Sequence, residues 1–133
     1  MENFHGRSRT KGSGSGGKRK KFRDVSLSEV GGPFTATKVG EAEVREAKRT
    51  RGGGVKTKLK RAAFVNVVVK PGETKRARIR TVLESPANRH YARQNIIVKG
   101  TLIDTEIGRV RVTNRVGQDG VVNGVLAEEK KAS

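Results

Sequence analysis

The residues Phe64-Val65-Asn66-Val67-Val68-Val69 form the clearest apolar run in the chain, and it is short. Pro71-Gly72 follows it, and then Arg76 to Leu83 alternates polar with apolar. β-Branched and aromatic residues suit a pleated, half-buried surface. A Pro-Gly dipeptide between two such runs reads as a turn. The same grammar repeats downstream. A break at Ser85-Pro86-Ala87-Asn88 precedes strand-like runs at Ile96 to Thr105, Arg109 to Thr113 and Val121 to Leu126, with Gly117 and Gly120 bracketing a tight turn between the last two. Upstream, Val55 to Val69 reads as one strand-rich stretch. Val39 to Thr50 fits either a strand or a short helix, because Glu41 to Lys48 contains good helix formers. The Gly52-Gly53-Gly54 that follows favours a hairpin. Several short strands punctuated by turns predict an all-β barrel or sandwich.

Only 32% of the 133 residues are hydrophobic, so the core must be small. The expected core draws on Val55, Leu59, Phe64, Val65, Val67, Ile79, Leu83, Ile96, Ile97, Leu102, Ile103, Val110, Val112, Val121, Val122, Val125 and Leu126. Four segments are expected: a tail over 1–23, a linker over 24–37 with a turn at Gly31-Gly32-Pro33, a β domain over 38–127, and a polar end over 128–133. The tail has no periodicity. Its Gly12-Ser13-Gly14-Ser15-Gly16-Gly17 stretch is flexible by composition, its charges extend it, and it is expected to be unstructured alone. Fully extended, the tail would reach roughly 75–80 Å.

Thirty Lys and Arg stand against thirteen Asp and Glu, a net charge of +17. Such a chain repels itself until a polyanion neutralises it, and nucleic acid is the densest regular array of anionic charge available. A membrane surface would call for a basic amphipathic helix or an anchor, and neither is legible. The apolar runs are far too short to span a bilayer. We therefore expect a soluble, intracellular protein with no membrane partner and no small-molecule substrate.

The cations are also placed in order. Arg76, Arg78 and Arg80 alternate with Ala77, Ile79 and Thr81, so a strand would put all three Arg on one face. Lys56, Lys58 and Lys60, and likewise Arg109 and Arg111, repeat the device. Between residues 49 and 80 eleven basic residues, including Arg49, Arg51 and Arg61, face one acid, Glu73. Ordinary solvated faces mix signs, since like charges on neighbouring strands repel. The tail adds His5, Arg7, Arg9, Lys11, Lys18, Arg19, Lys20, Lys21 and Arg23. The segment from Ser85 to Asn95, read as a loop, gathers Arg89, His90, Tyr91, Arg93 and Gln94, which offer donors, charge and a stacking ring. Arg115 joins this set near the final turn. With no Trp and few aromatics, the expected mode is recognition of backbone charge and shape rather than bases. Folded RNA fits these features, and a duplex DNA-packaging protein is the rival reading.

Features suggesting chemistry fail on inspection. There is no Cys, which removes disulfides, thiolate metal sites and Cys nucleophiles. Gly12 to Lys18 matches G-x-x-x-x-G-K, but Arg19 stands where Ser or Thr would bind magnesium, and neither strand nor helix flanks the stretch. His5 and His90 are the only histidines and have no metal-site spacing. Asp104 and Glu106 would share a strand face, balancing Lys99 and Arg109, without a nucleophile or oxyanion donors. We expect neither an enzyme nor a cofactor.

The stretch from Ser85 to Leu126 closely resembles archaeal members of the small-subunit ribosomal protein family numbered eight in the archaeal and eukaryotic scheme. The most specific pieces are Asn95-Ile96-Ile97 with Lys99-Gly100, Thr105-Glu106-Ile107-Gly108, Val112-Thr113-Asn114-Arg115, and Gly117-Gln118-Asp119-Gly120-Val121-Val122-Asn123. His5-Gly6-Arg7-Ser8, Thr37-Lys38-Val39-Gly40-Glu41 and Arg51-Gly52-Gly53-Gly54-Val55-Lys56 extend the likeness over nearly the whole chain. The resemblance implies a small β-barrel of short antiparallel strands with an extended basic N-terminal tail that penetrates RNA. It implies a structural role in a small ribosomal subunit in the cytoplasm, with ribosomal RNA and neighbouring ribosomal proteins as partners.

Overall fold

The computed structural model describes residues 4–6, 8–20, 22–50 and 52–129, with residues 128 and 129 described by backbone alone. It divides the chain into two units, Met1–Phe34 and Thr35–Ser133.

In the first unit the chain folds back on itself. Thr10 and Lys18 form an antiparallel bridge, supported by Lys11 N–H donating to Gly17 O at 2.9 Å and Arg19 N–H to Arg9 O at 2.8 Å. Phe4 bridges Val30. A 3-10 turn, Leu27–Glu29, is closed by Glu29, whose carboxylate accepts from Ser26 N–H at 3.4 Å and from Arg23 at 2.8 Å.

The second unit holds nine strands and two short helices among its described residues. β1 (Thr37–Val39), β2 (Val44–Arg49), β3 (Val55–Ala62) and β6 (Ile96–Ile97) form a sheet in the order β2-β3-β1-β6. β4 (Phe64–Lys70), β5 (Glu73–Glu84), β7 (Leu102–Thr105), β8 (Gly108–Val112) and β9 (Asn123–Glu129) close into a barrel. All neighbours in the barrel run antiparallel except β4 and β9, whose parallel pairing closes it. The expected barrel is present, and the segment left open between strand and helix is β2.

The strand-rich stretch Val55 to Val69 holds two strands, and Ile96 to Thr105, read as one strand, is divided. Val55 to Val69 breaks between β3 and β4, where Ala62 and Ala63 are consecutive and both fully buried. Two buried residues in succession break the period of two. Their small side chains let the strand leave one sheet and enter the barrel. Ile96 to Thr105 breaks at Lys99-Gly100, where Gly100 N–H donates to Val112 O at 2.8 Å and Thr101 Oγ1 accepts from Val98 N–H at 3.1 Å. The loop expected over Ser85 to Asn95 contains α1 (Arg89–Arg93), begun by Asn88, whose side chain accepts from His90 N–H at 2.9 Å. The tight turn expected near Gly117 is a helical turn, α2 (Val116–Asp119).

Leu59, Ala62, Val65, Val67, Ala77, Ile79, Val82, Ile97, Ile103, Val110, Val112, Val116 and Val122 form one core cluster drawn from both sheets. Four residues expected inside it are exposed: Val55, Phe64, Leu83 and Val125. Parity explains two of them. Val65 and Val67 point into the barrel, so Phe64 points out; Val122 and Gly124 point in, so Val125 points out. On β5 the register shifts between Ile79 and Thr81. This irregularity moves the inward position from the odd residues to Val82 and turns Leu83, 45% exposed, to solvent. Val55 lies beside the turn of the β2–β3 hairpin, opposite Arg49, and is 64% exposed.

Candidate nucleic-acid interface

β5 is the backbone of the basic surface. Its burial alternates through Ala77 and Ile79, both buried, which leaves Arg76, Arg78 and Arg80 on the outer face. On β8 buried Gly108, Val110 and Val112 alternate with exposed Arg109 and Arg111. Between these two columns runs β7, where Asp104 is in register with Thr81 on one side and Arg109 on the other. Asp104 therefore sits within the Arg array. Glu106, expected beside it on one strand face, lies in the turn beyond the end of β7. That turn is closed by Thr105, whose Oγ1 donates to Gly108 O at 2.7 Å and accepts from Gly108 N–H at 3.2 Å.

The β2–β3 hairpin contributes a second array. Lys56, Lys60 and Arg61 are exposed and Lys58 is half-buried, while Leu59 faces the core. β2 is exposed at every position, and Arg49 lies at its end. Lys48 stands opposite Lys56, a pairing of like charges that only strand register reveals. Lys60 meets Glu46 at 3.2 Å.

Arg89, His90 and Arg93 on α1 are exposed, as is Gln94 at its C-cap, and Tyr91 is half-buried. Arg115 is exposed at the start of α2. Its loop is held by Asn114 and Asp119. Asn114 Nδ2 donates to Asp119 Oδ2 at 3.0 Å and to Val121 O at 2.9 Å, while Asn114 Oδ1 accepts from Asn123 N–H at 3.0 Å. Asp119 Oδ2 also accepts from Arg115 N–H at 3.1 Å. In the first unit His5, Arg9, Lys11, Lys18, Arg19, Lys20 and Arg23 are all exposed. Arg7, Lys21 and Arg51 lie outside the described residues.

Arg78, Arg80 and Arg111 make no ion pair among the described residues. Arg76 differs: its guanidinium lies over the Phe64 ring, 4.2 Å from the centroid, and 3.9 Å from Glu43 Oε1. Glu43 Oε2 accepts from Arg45 at 2.5 Å, and Arg45 Nε donates to Gly120 O at 2.7 Å. Arg45, Lys48 and the outward ring of Phe64 escaped the sequence reading. The alternation of Val65 and Val67 contained the signal for Phe64. The hairpin register, which places Arg45 and Lys48, did not exist until the pairing of β2 with β3 was known.

Among the described residues no group of three or more His, Asp or Glu could hold a metal ion, and no helix is long and apolar enough to cross a membrane. The cationic faces are what this surface offers chemically.

The sequence model of the family described as Ribosomal protein S8e matches residues 6–127. This chain belongs to the S8e family. A protein named small ribosomal subunit protein eS8 from Sulfolobus acidocaldarius is 47% identical over 116 residues, covering 86% of this chain and 91% of the relative. Proteins of the same name from Sulfurisphaera tokodaii and Hyperthermus butylicus are 46% and 48% identical, covering 86% and 87% of this chain and 91% and 87% of the relatives. The matched span of this S8e chain includes both sheets entirely apart from the end of β9. The stretches that carried the resemblance have structural tasks here: Thr105 and Gly108 close the β7–β8 turn, and Asn114, Asp119 and Asn123 hold the loop that presents Arg115.

Proposed function

We propose that this chain is a structural component of the small ribosomal subunit, in the cytoplasm, that binds and stabilises ribosomal RNA and packs beside other ribosomal proteins. The observation that carries this reading is the cationic array: Arg76, Arg78 and Arg80 on β5, and Arg109 and Arg111 on β8, outnumbering the Asp104 between them and displayed by a closed barrel. The relatives' name, small ribosomal subunit protein eS8, supplies the setting. The role has no chemical step. Each exposed Lys or Arg replaces condensed counterions on an RNA phosphate, and the released ions supply the driving force. The rigid barrel fixes the spacing of the cations and so reads the shape of folded RNA. The basic segment 1–23 adds close backbone approach through its glycines and further counter-charge through Arg9, Lys11, Lys18, Arg19, Lys20 and Arg23.

The test is a salt titration of binding to small-subunit ribosomal RNA. Neutralising about ten phosphates gives a log–log slope near −7 to −9. A slope near zero refutes the electrostatic reading. Equal binding to duplex DNA in competition would favour a DNA-packaging role instead.

A further inference from the structure

We propose that the groove between the β2 sheet and the outer face of β4 holds a single unpaired RNA base, stacked on the Arg76–Phe64 pair and read at its edge by Glu43 and Asn66. This rests on the RNA-binding reading above. It adds base recognition to an interface otherwise built for phosphates.

The groove has a volume of 320 Å³, room for one nucleotide and too little for a helix. One wall is a ready platform: the planar Arg76 guanidinium lies 4.2 Å from the Phe64 centroid. The Arg76 side chain remains 61% exposed, so its outer face is open to a base. Unpaired RNA bases stack on both aromatic rings and guanidinium planes. The polar groups of the groove are Glu43, just before β2, and Asn66, which shares the outer face of β4 with Phe64 and is in register with Arg76. The Glu43 side chain is only 18% exposed and is held by Arg45. A phosphate placed beside this carboxylate would meet like charge, whereas an exocyclic amino group would donate to it. Asn66 Nδ2 donates to Asn123 Oδ1 at 3.0 Å, which leaves Asn66 Oδ1 and one N–H for a base edge. The chemistry favours a base bearing an amino group over uracil.

The test uses the full chain and one RNA helix carrying a single-nucleotide bulge that is guanosine, uridine or abasic, so that phosphate number stays constant. The wild type should bind the guanosine bulge about tenfold more tightly than the abasic one, with uridine between. Phe64→Leu removes the ring and Arg76→Lys removes the plane while keeping the charge. Both should bring the three affinities together and preserve the melting temperature, and Phe64→Leu, which touches no phosphate-binding cation, should leave binding to the abasic helix unchanged. Equal binding of all three bulges by the wild type overturns the proposal, as does retained discrimination in both variants. Tight, salt-sensitive binding without discrimination overturns the base pocket alone. Loss of salt-sensitive binding to every RNA overturns the RNA-binding reading as well.

Discussion

At the scale of single residues, the barrel depends on one position that lacks a side chain. Gly124 faces inward on β9, in register with Val112 of β8. A Cβ there would collide with Val110 Cγ1 and sit 2.8 Å from Arg111 O. The second contact is backbone and cannot rotate away, so the two strands must separate there. Gly124→Ala should cost about 1–3 kcal/mol, the usual range for an overpacked core. The midpoint of denaturant unfolding measures it. Gly120 combines both glycine constraints: its φ is +73°, and a Cβ would meet Thr57 Cγ2 at 2.7 Å where α2 packs on β3. Neither need is visible in the residue names, because a crowded glycine and one in open turn space are the same letter. The outward face of Phe64 is a different case. Its parity with Val65 and Val67 was legible, and its hydrophobicity alone suggested burial.

At the scale of elements, β5 separates stability from binding by parity. Ile79 faces the core and the Arg side chains face out. Ile79→Ala should therefore destabilise by about 2–5 kcal/mol through lost burial and an unfilled cavity. Arg78→Gln together with Arg80→Gln should leave the thermal midpoint unchanged, since neither side chain forms an ion pair among the described residues. The double variant should also make the salt slope of RNA binding shallower by about two, one per lost phosphate contact. A thermal melt and a salt titration on the same two proteins check both halves; a destabilised Arg variant would place those side chains in the fold rather than the interface. The alternation over residues 76–80 announced this division in the sequence. The register shift beyond Ile79 was not announced, so Leu83 was misplaced and Val82 missed. The barrel itself was legible from its strand runs and turns. The divisions at Ala63 and Lys99-Gly100 were not, because local pattern shows where a strand can run and tertiary pairing decides which sheet it joins.

At the scale of the whole molecule, salt should act in opposite directions on folding and on binding. With a charge of +17, the compact state confines repulsions that the expanded chain relieves, so screening should raise the melting temperature of the free protein. The same screening removes the entropy gained from counterion release and weakens RNA binding. Removing residues 1–23 tests whether the two effects reside in different parts of the chain. That segment contains eight of the thirty Lys and Arg. The unit spanning Thr35–Ser133 contains all nine strands and closes its own barrel. The truncated protein should therefore remain folded by circular dichroism, bind RNA with a slope shallower by up to about seven, and enter reconstituted small subunits less efficiently than the full chain. An unfolded truncation would make the segment part of the fold. A truncation that assembles as well as the full chain would show that the barrel faces alone neutralise the RNA, with the basic segment contributing nothing to assembly.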